Sequence, residues 1–169
     1  MPTAGRRTRQ VAAIGGVLFG SLAIADAGAE TVAYPAGYRT TFVEYGVIDV
    51  LPVKQVRVFY VAPEVLSVAA PGRALPDGTV LVMEVRDATL DAGGQPVRDA
   101  AGRYVAGDRV VGLRVQAKTG GAWEFARFNA DGTRVADAQL DRCVACHTTR
   151  AGQDFTYLLW KYVATIKKP

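Results

Sequence analysis

Four runs between positions 56 and 128 carry apolar side chains at every second place, a period that only extended, pleated backbone turns into one buried face. In residues 56–61, Val56, Val58 and Tyr60 fall on one side and Arg57, Phe59 and Val61 on the other. Pro76-Asp77-Gly78 is a turn signal that feeds residues 79–86, where Leu81, Met83 and Val85 share a face. Val80, Val82, Glu84 and Arg86 lie opposite. Residues 109–118 align Val111, Leu113 and Val115, and residues 123–128 follow across Thr119-Gly120-Gly121, which predicts a hairpin. The stretch 91–108, rich in Gly, Asp and Pro, reads as a surface loop or hairpin connection.

The period changes near the carboxy terminus. Phe155, Leu158, Leu159, Tyr162, Val163 and Ile166 recur at helical spacing, Asp154 stands where a capping residue belongs, and Lys167 and Lys168 suit the helix's negative end. The expected class is therefore mainly β (α+β): an antiparallel sheet domain with a carboxy-terminal helix and a short helix near the cysteine pair. With 169 residues, 50% of them hydrophobic and charges of both signs interspersed, one globular domain is expected.

The first residues read as an address. Arg6, Arg7 and Arg9 form a basic start, residues 11–24 an apolar stretch, and Ala27-Gly28-Ala29 a small-residue cleavage site. The apolar stretch, about 14 residues, is short of the roughly 20 that a spanning helix needs. Arg6-Arg7 also permits a twin-arginine signal, although Thr8-Arg9-Gln10 continues it poorly and the general export route is favoured. Residues 1–29 are thus expected to be a signal peptide, cleaved on export to the periplasm, and residues 30–169 a single domain without membrane attachment. Cleavage removes three arginines and one aspartate, so the whole chain's net charge of +4 overstates the mature protein's basicity. Nothing marks a nucleic-acid partner.

Cys143-Val144-Ala145-Cys146-His147 is CxxCH, the spacing of c-type haem attachment. Two thiols three positions apart can each add to one vinyl group of the porphyrin, and the next residue's imidazole is then held beneath the iron. Three other chemistries fit less well. A redox CxxC pair belongs at a helix start in a βαβ setting, which these β runs do not supply. Structural zinc takes four ligands, and the chain offers two cysteines and one histidine. A disulfide would leave His147 without a role. One covalent haem c is expected, with Cys143, Cys146 and His147 as cofactor-binding residues and His147 as the metal ligand. Because His147 is the only histidine, bis-histidine ligation within one chain is excluded. Met83 is either a second axial ligand, as in an electron-transfer cytochrome, or a core methionine beside Leu81 and Val85. Otherwise the iron keeps an open distal position, which suits binding or oxidation of small molecules.

The order of motifs resembles a known family. Tyr34-Pro35-Ala36-Gly37-Tyr38-Arg39, then 75–84 (LPDGTVLVME), then Trp123-Glu124-Phe125, and a late CxxCH followed by Asp154-Phe155 are similar to the cytochrome P-460 family and its relatives, the cytochromes c′-beta. The resemblance implies a mostly β homodimer with five-coordinate haem. One branch oxidises hydroxylamine and cross-links a lysine to the porphyrin; the other lacks the link and binds nitric oxide in an apolar, phenylalanine-lined pocket. Around the PDG turn there is Arg73 and no lysine, so Lys54 is the cross-link candidate, or else a solvated loop lysine. Phe59 either caps the open face of the iron or packs in the core. Glu84 either projects into the cavity as a proton relay or is an exposed carboxylate. Arg127, on the face of Trp123 and Phe125, either pairs with a haem propionate or lies at the surface. The expected function is a periplasmic monohaem c-type cytochrome with an open distal site for nitric oxide or related small nitrogen oxides; a hydroxylamine-oxidising enzyme and a His/Met electron carrier are the alternatives, and the redox partner is unknown.

Overall fold

The computed structural model describes Met1, residues 32–136 and residues 140–167. The signal peptide expected at residues 1–29 lies, Met1 apart, outside the described residues, as does Lys168. Five strands, β1 (Val43–Val50), β2 (Gln55–Val61), β3 (Val80–Ala88), β4 (Ala106–Thr119) and β5 (Ala122–Asn129), form one sheet in the order β1-β2-β3-β4-β5. Every neighbouring pair is antiparallel, so the sheet is a simple meander. Among the described residues four helices accompany it: α1 (Tyr38–Thr41), α2 (Pro63–Val68), α3 (Leu140–Thr148) and α4 (Leu159–Ile166). The mainly β class holds, with a helix at the carboxy terminus and another carrying the cysteine pair.

The alternation of the four runs places their side chains as the sequence predicts except at Val111: β4 bulges there, so Arg86 pairs with Val110, and Val110 takes the place beside Leu113 and Val115 that the alternation assigns to Val111. Phe59 pairs with Met83 and Met83 with Arg114, so all three stand on one face, and the row ends at Arg127. Val58, Glu84, Leu113 and Phe128 make the matching row on the other. That other face is closed by Val32, Tyr38 and Phe42 from the amino-terminal segment and by Tyr104, whose main-chain N–H donates to Asp49 at 3.0 Å. It is the drier of the two, with Val56, Val82, Leu113, Val115 and Ala126 each at 1% exposure.

The first-named face is covered unevenly. α4 packs on the β1 side through Leu159 and Val163, which are fully buried against Tyr45, Val61, Leu81 and the α2 residues Val65 and Leu66. α3 lies on the β5 side. Between them Arg57, Phe59, Met83, Arg114 and Phe125 are only half-buried.

Two elements depart from the sequence reading. The carboxy-terminal helix begins at Leu159 with Leu158 as its N-cap, and no side chain caps it. Asp154 instead closes a 3-10 turn (Ala151–Gln153) in a left-handed conformation, φ 49°, and its carboxylate is engaged elsewhere. Lys167 serves a neighbour too: its ammonium donates to Ala69 O at 2.5 Å, just beyond the end of α2. β1 has no counterpart among the four runs, because a bulge at Glu44/Gly46 puts Tyr45 and Gly46 on successive places and breaks the alternation.

Candidate functional site

α3 holds Cys143, Cys146 and His147 on nine residues, and not one of the nine is buried. Both thiols are free, Cys143 half-buried and Cys146 exposed. The sheet and the following loop hold the imidazole. Its Nδ1–H donates to the Phe155 carbonyl at 2.6 Å, and the ring lies 5.0 Å from Phe125 of β5 and 5.3 Å, edge to face, from Tyr157. This bond fixes the tautomer and leaves Nε2 for a metal. Tyr157 closes the arrangement by donating its hydroxyl to Cys146 O at 2.8 Å.

The carbonyl that holds His147 is itself held in an uncommon conformation. Asp154 and Phe155 both have positive φ, 49° and 58°, and left-handed backbone costs a non-glycine residue roughly 1–2 kcal/mol. Asp154 supplies the compensation. Its carboxylate accepts from Lys118 Nζ at 2.9 and 3.0 Å, from Trp123 Nε1 at 3.1 Å and from the Leu75 main-chain N–H at 2.7 Å. Burial alone would raise the Asp154 pKa; the donors from Lys118, Leu75 and Trp123 outweigh it and hold the carboxyl below the usual range. Gln116 Nε2 adds a second donor to the Phe155 carbonyl at 3.2 Å. Gln116, Lys118, Trp123 and Phe125 occupy one face of the β4–β5 hairpin, so the sheet presents a continuous cradle to residues 154–157.

The candidates from the sequence separate into two groups. Phe59, Met83 and Arg127 lie on the sheet face that meets His147. Lys54 does not: it is exposed in the β1–β2 connection, and its ammonium donates to Gly94 O at 2.8 Å. Glu84 is neither exposed nor directed toward His147. It is fully buried on the opposite face, where it accepts from the Tyr38 hydroxyl and from Arg39 Nε at 2.7 Å, with Arg86 Nε at 3.5 Å. Burial and then the adjacent Glu84 push the Tyr38 phenol well above its ordinary pKa. The period of β3 assigns Glu84 to that face; its burial comes from the amino-terminal segment folding over it. Gln116 and Lys118 escape the sequence reading, because polar residues alternating with apolar ones look like a solvated face when their cover comes from a distant loop; Asp154 reads as a helix cap in the sequence, and nothing local marks Tyr157.

These residues fit a haem. A helix with no fully buried residue presents two free thiols and an oriented imidazole beside a half-buried strip containing Phe59, Met83 and Phe125. They do not fit structural zinc: among the described residues no three His, Cys, Asp or Glu side chains gather as a ligand group. A five-stranded meander that receives a CxxCH helix on one face defines the class of a haem-binding c-type cytochrome. Along residues 35–158 the chain matches the family model of cytochrome P460, and it belongs to that family. No curated protein matches the chain.

Proposed function

We propose that the chain is a periplasmic monohaem c-type cytochrome whose haem is joined by thioethers to Cys143 and Cys146, ligated by His147, and open on its other side to nitric oxide or a related small nitrogen oxide. The observation that carries this reading is the division of labour at His147. Nδ1 is committed to the Phe155 carbonyl, Nε2 is left for iron, and the chain has no second imidazole. When bound, the haem supplies an iron with an axial position available to a diatomic molecule. Phe59 contributes an apolar boundary that favours a neutral ligand over water. Against hydroxylamine oxidation through a lysine link stands Lys54, whose ammonium is engaged at Gly94.

A second reading has one observation in its favour: Met83 is half-buried in the central strip and not enclosed among Leu81 and Val85. A His147/Met83 electron carrier would be low-spin in both redox states. The test is the optical spectrum of protein matured in a periplasm competent in haem attachment, oxidised and reduced, with and without NO. A five-coordinate, high-spin ferrous form that takes up NO promptly is expected. A low-spin spectrum in both states that changes on Met83→Ala would replace this reading with the second.

A further inference from the structure

Two guanidinium groups stand without an anion on the sheet face that meets α3. Arg57 of β2 and Arg114 of β4 flank β3, whose Met83 and Val85 lie between them in the ladder and carry no charge. Two strand spacings put their main chains about 10 Å apart across the sheet, a gap that two arginine side chains can close from either side. Both are half-buried. Among the described residues neither has a carboxylate partner. Arg57 Nε is buried with no hydrogen-bond acceptor, and Arg114 Nη1 donates to the neighbouring Leu113 carbonyl at 3.2 Å. Asp87, the next β3 residue on this face after Val85, is taken up by Arg109. Arg127, opposite Arg114 on β5, has an interaction of its own and adds only its charge. Burial first, and then Arg127 and Arg57, pull the Arg114 pKa below its ordinary value.

Two cations held near each other and half out of water repel one another and lose hydration, and an anion shared between them reverses both costs. The shape of the pair selects that anion. Each guanidinium is a planar fork that grips two oxygens of one group with parallel bonds. The floor between the forks is apolar, formed by Met83 and Val85 with Phe59 beside Arg57 on β2, so it suits a small, flat, singly charged oxyanion and offers a bulky, strongly hydrated one no further partner. The pair lies next to the candidate haem site. Phe125, 5.0 Å from the His147 ring, is opposite Gln116, the next β4 residue on this face after Arg114. We propose that Arg57 and Arg114 form a binding site for a small oxyanion with the chemistry of nitrite. The site stands on the two arginines alone. Its assignment to a nitrogen oxide rests on the proposed function, to which it adds an anionic class of ligand beside neutral nitric oxide.

The experiment titrates sodium nitrite, at constant ionic strength, into haem-loaded protein in its ferrous, CO-bound form, which keeps nitrite off the iron, and follows 15N-labelled arginine side chains by NMR. The Nε–H signals of Arg57 and Arg114 are expected to shift together and saturate, at nitrite concentrations that leave Arg109, exposed and paired with Asp87, unmoved. Arg57→Gln and Arg114→Gln should each weaken the affinity, read on the arginine that remains, by about tenfold or more, the equivalent of one charge-assisted hydrogen bond. Arg114→Lys returns the charge without the fork and should fall between parent and Arg114→Gln; it also covers a Gln substitution that fails to fold. The site is overturned if Arg57 and Arg114 do not respond, if all arginines including Arg109 move in parallel, as general screening would make them, or if the affinity is unchanged in the variants. Colourless protein with only the polypeptide's mass would instead overturn the haem reading, and the same titration of that protein would still decide the anion site, because it reads the arginines and not the iron.

Discussion

Two adjacent left-handed residues persist only where something outweighs them, and here the outweighing group is one carboxylate. Lys118 and Asp154 have side-chain exposures of 5% and 13%, so neutralising the acid would leave an ammonium buried and unpaired. Asp154→Asn is expected to destabilise the protein by about 3–5 kcal/mol, read from urea denaturation. The same group gives the protein an acid limit. Its folded pKa lies below the usual carboxylate value, so its contribution is complete above about pH 3.9 and is lost as the pH falls through the folded value. An acid titration of Asp154→Asn should therefore lack a stability loss that the parent shows in that window. Gln116 acts one bond further in. It shares the Phe155 carbonyl with His147, and removing it leaves that oxygen a stronger acceptor, which, with haem ligated as proposed, would make the imidazole a stronger donor to iron. Gln116→Leu should raise the iron–histidine stretching frequency and lower the midpoint potential. One hydrogen bond worth about 1 kcal/mol corresponds to roughly 40 mV in a one-electron couple.

At the scale of elements, the alternation of β2 to β5 assigned the side chains to their faces because a period of two leaves no choice once the backbone is extended, and it failed at Val111, where a bulge in β4 gives Val110 that place beside Leu113. β1 was hidden by its own bulge, and α2 by brevity: six residues beginning at Pro63 offer less than two turns for a period to declare itself. The start of α4 was misread for a different reason. The helical spacing of Phe155 and Leu158 with the residues after them is genuine in the sequence, but Phe155 is held in a left-handed turn by a network reaching from Leu75, Lys118 and Trp123. No local pattern reports a constraint of that range. The CxxCH spacing stands out in the sequence because haem attachment requires neighbouring residues; the residues that orient His147 come from β4, β5 and the loop after α3, and only the fold unites them. Within α4, Leu159 is fully buried against Tyr45, Leu81 and α2. Leu159→Ala should cost about 2–5 kcal/mol of unfolding free energy without changing the spectrum of attached haem, since the cavity it leaves is on the β1 side of the sheet.

For the whole molecule, the distribution of the core predicts which parts depend on the cofactor. The three clusters of buried apolar residues draw on the sheet, the amino-terminal segment, α2, α4 and the loop around Tyr104, and contain nothing from α3. α3 is nine residues long and buries none of them. A helix of that length is marginal in water without packing or a covalent tether. Its contacts with the rest of the chain run chiefly through His147, between Phe125 and Tyr157, and through the Phe155 hydrogen bond. A haem joined to both thiols and lying on the sheet would give α3 the missing anchor. Amide hydrogen exchange in a Cys143→Ser/Cys146→Ser variant should then show β2 to β4 protected as in the loaded protein, while the amides of α3 exchange at nearly the rate of an unstructured chain. In loaded protein the same amides should slow by orders of magnitude, together with those of the 154–157 loop. Equal protection of α3 in the two proteins would mean that His147 and its neighbours suffice to hold the helix, and that the site is formed before the cofactor arrives.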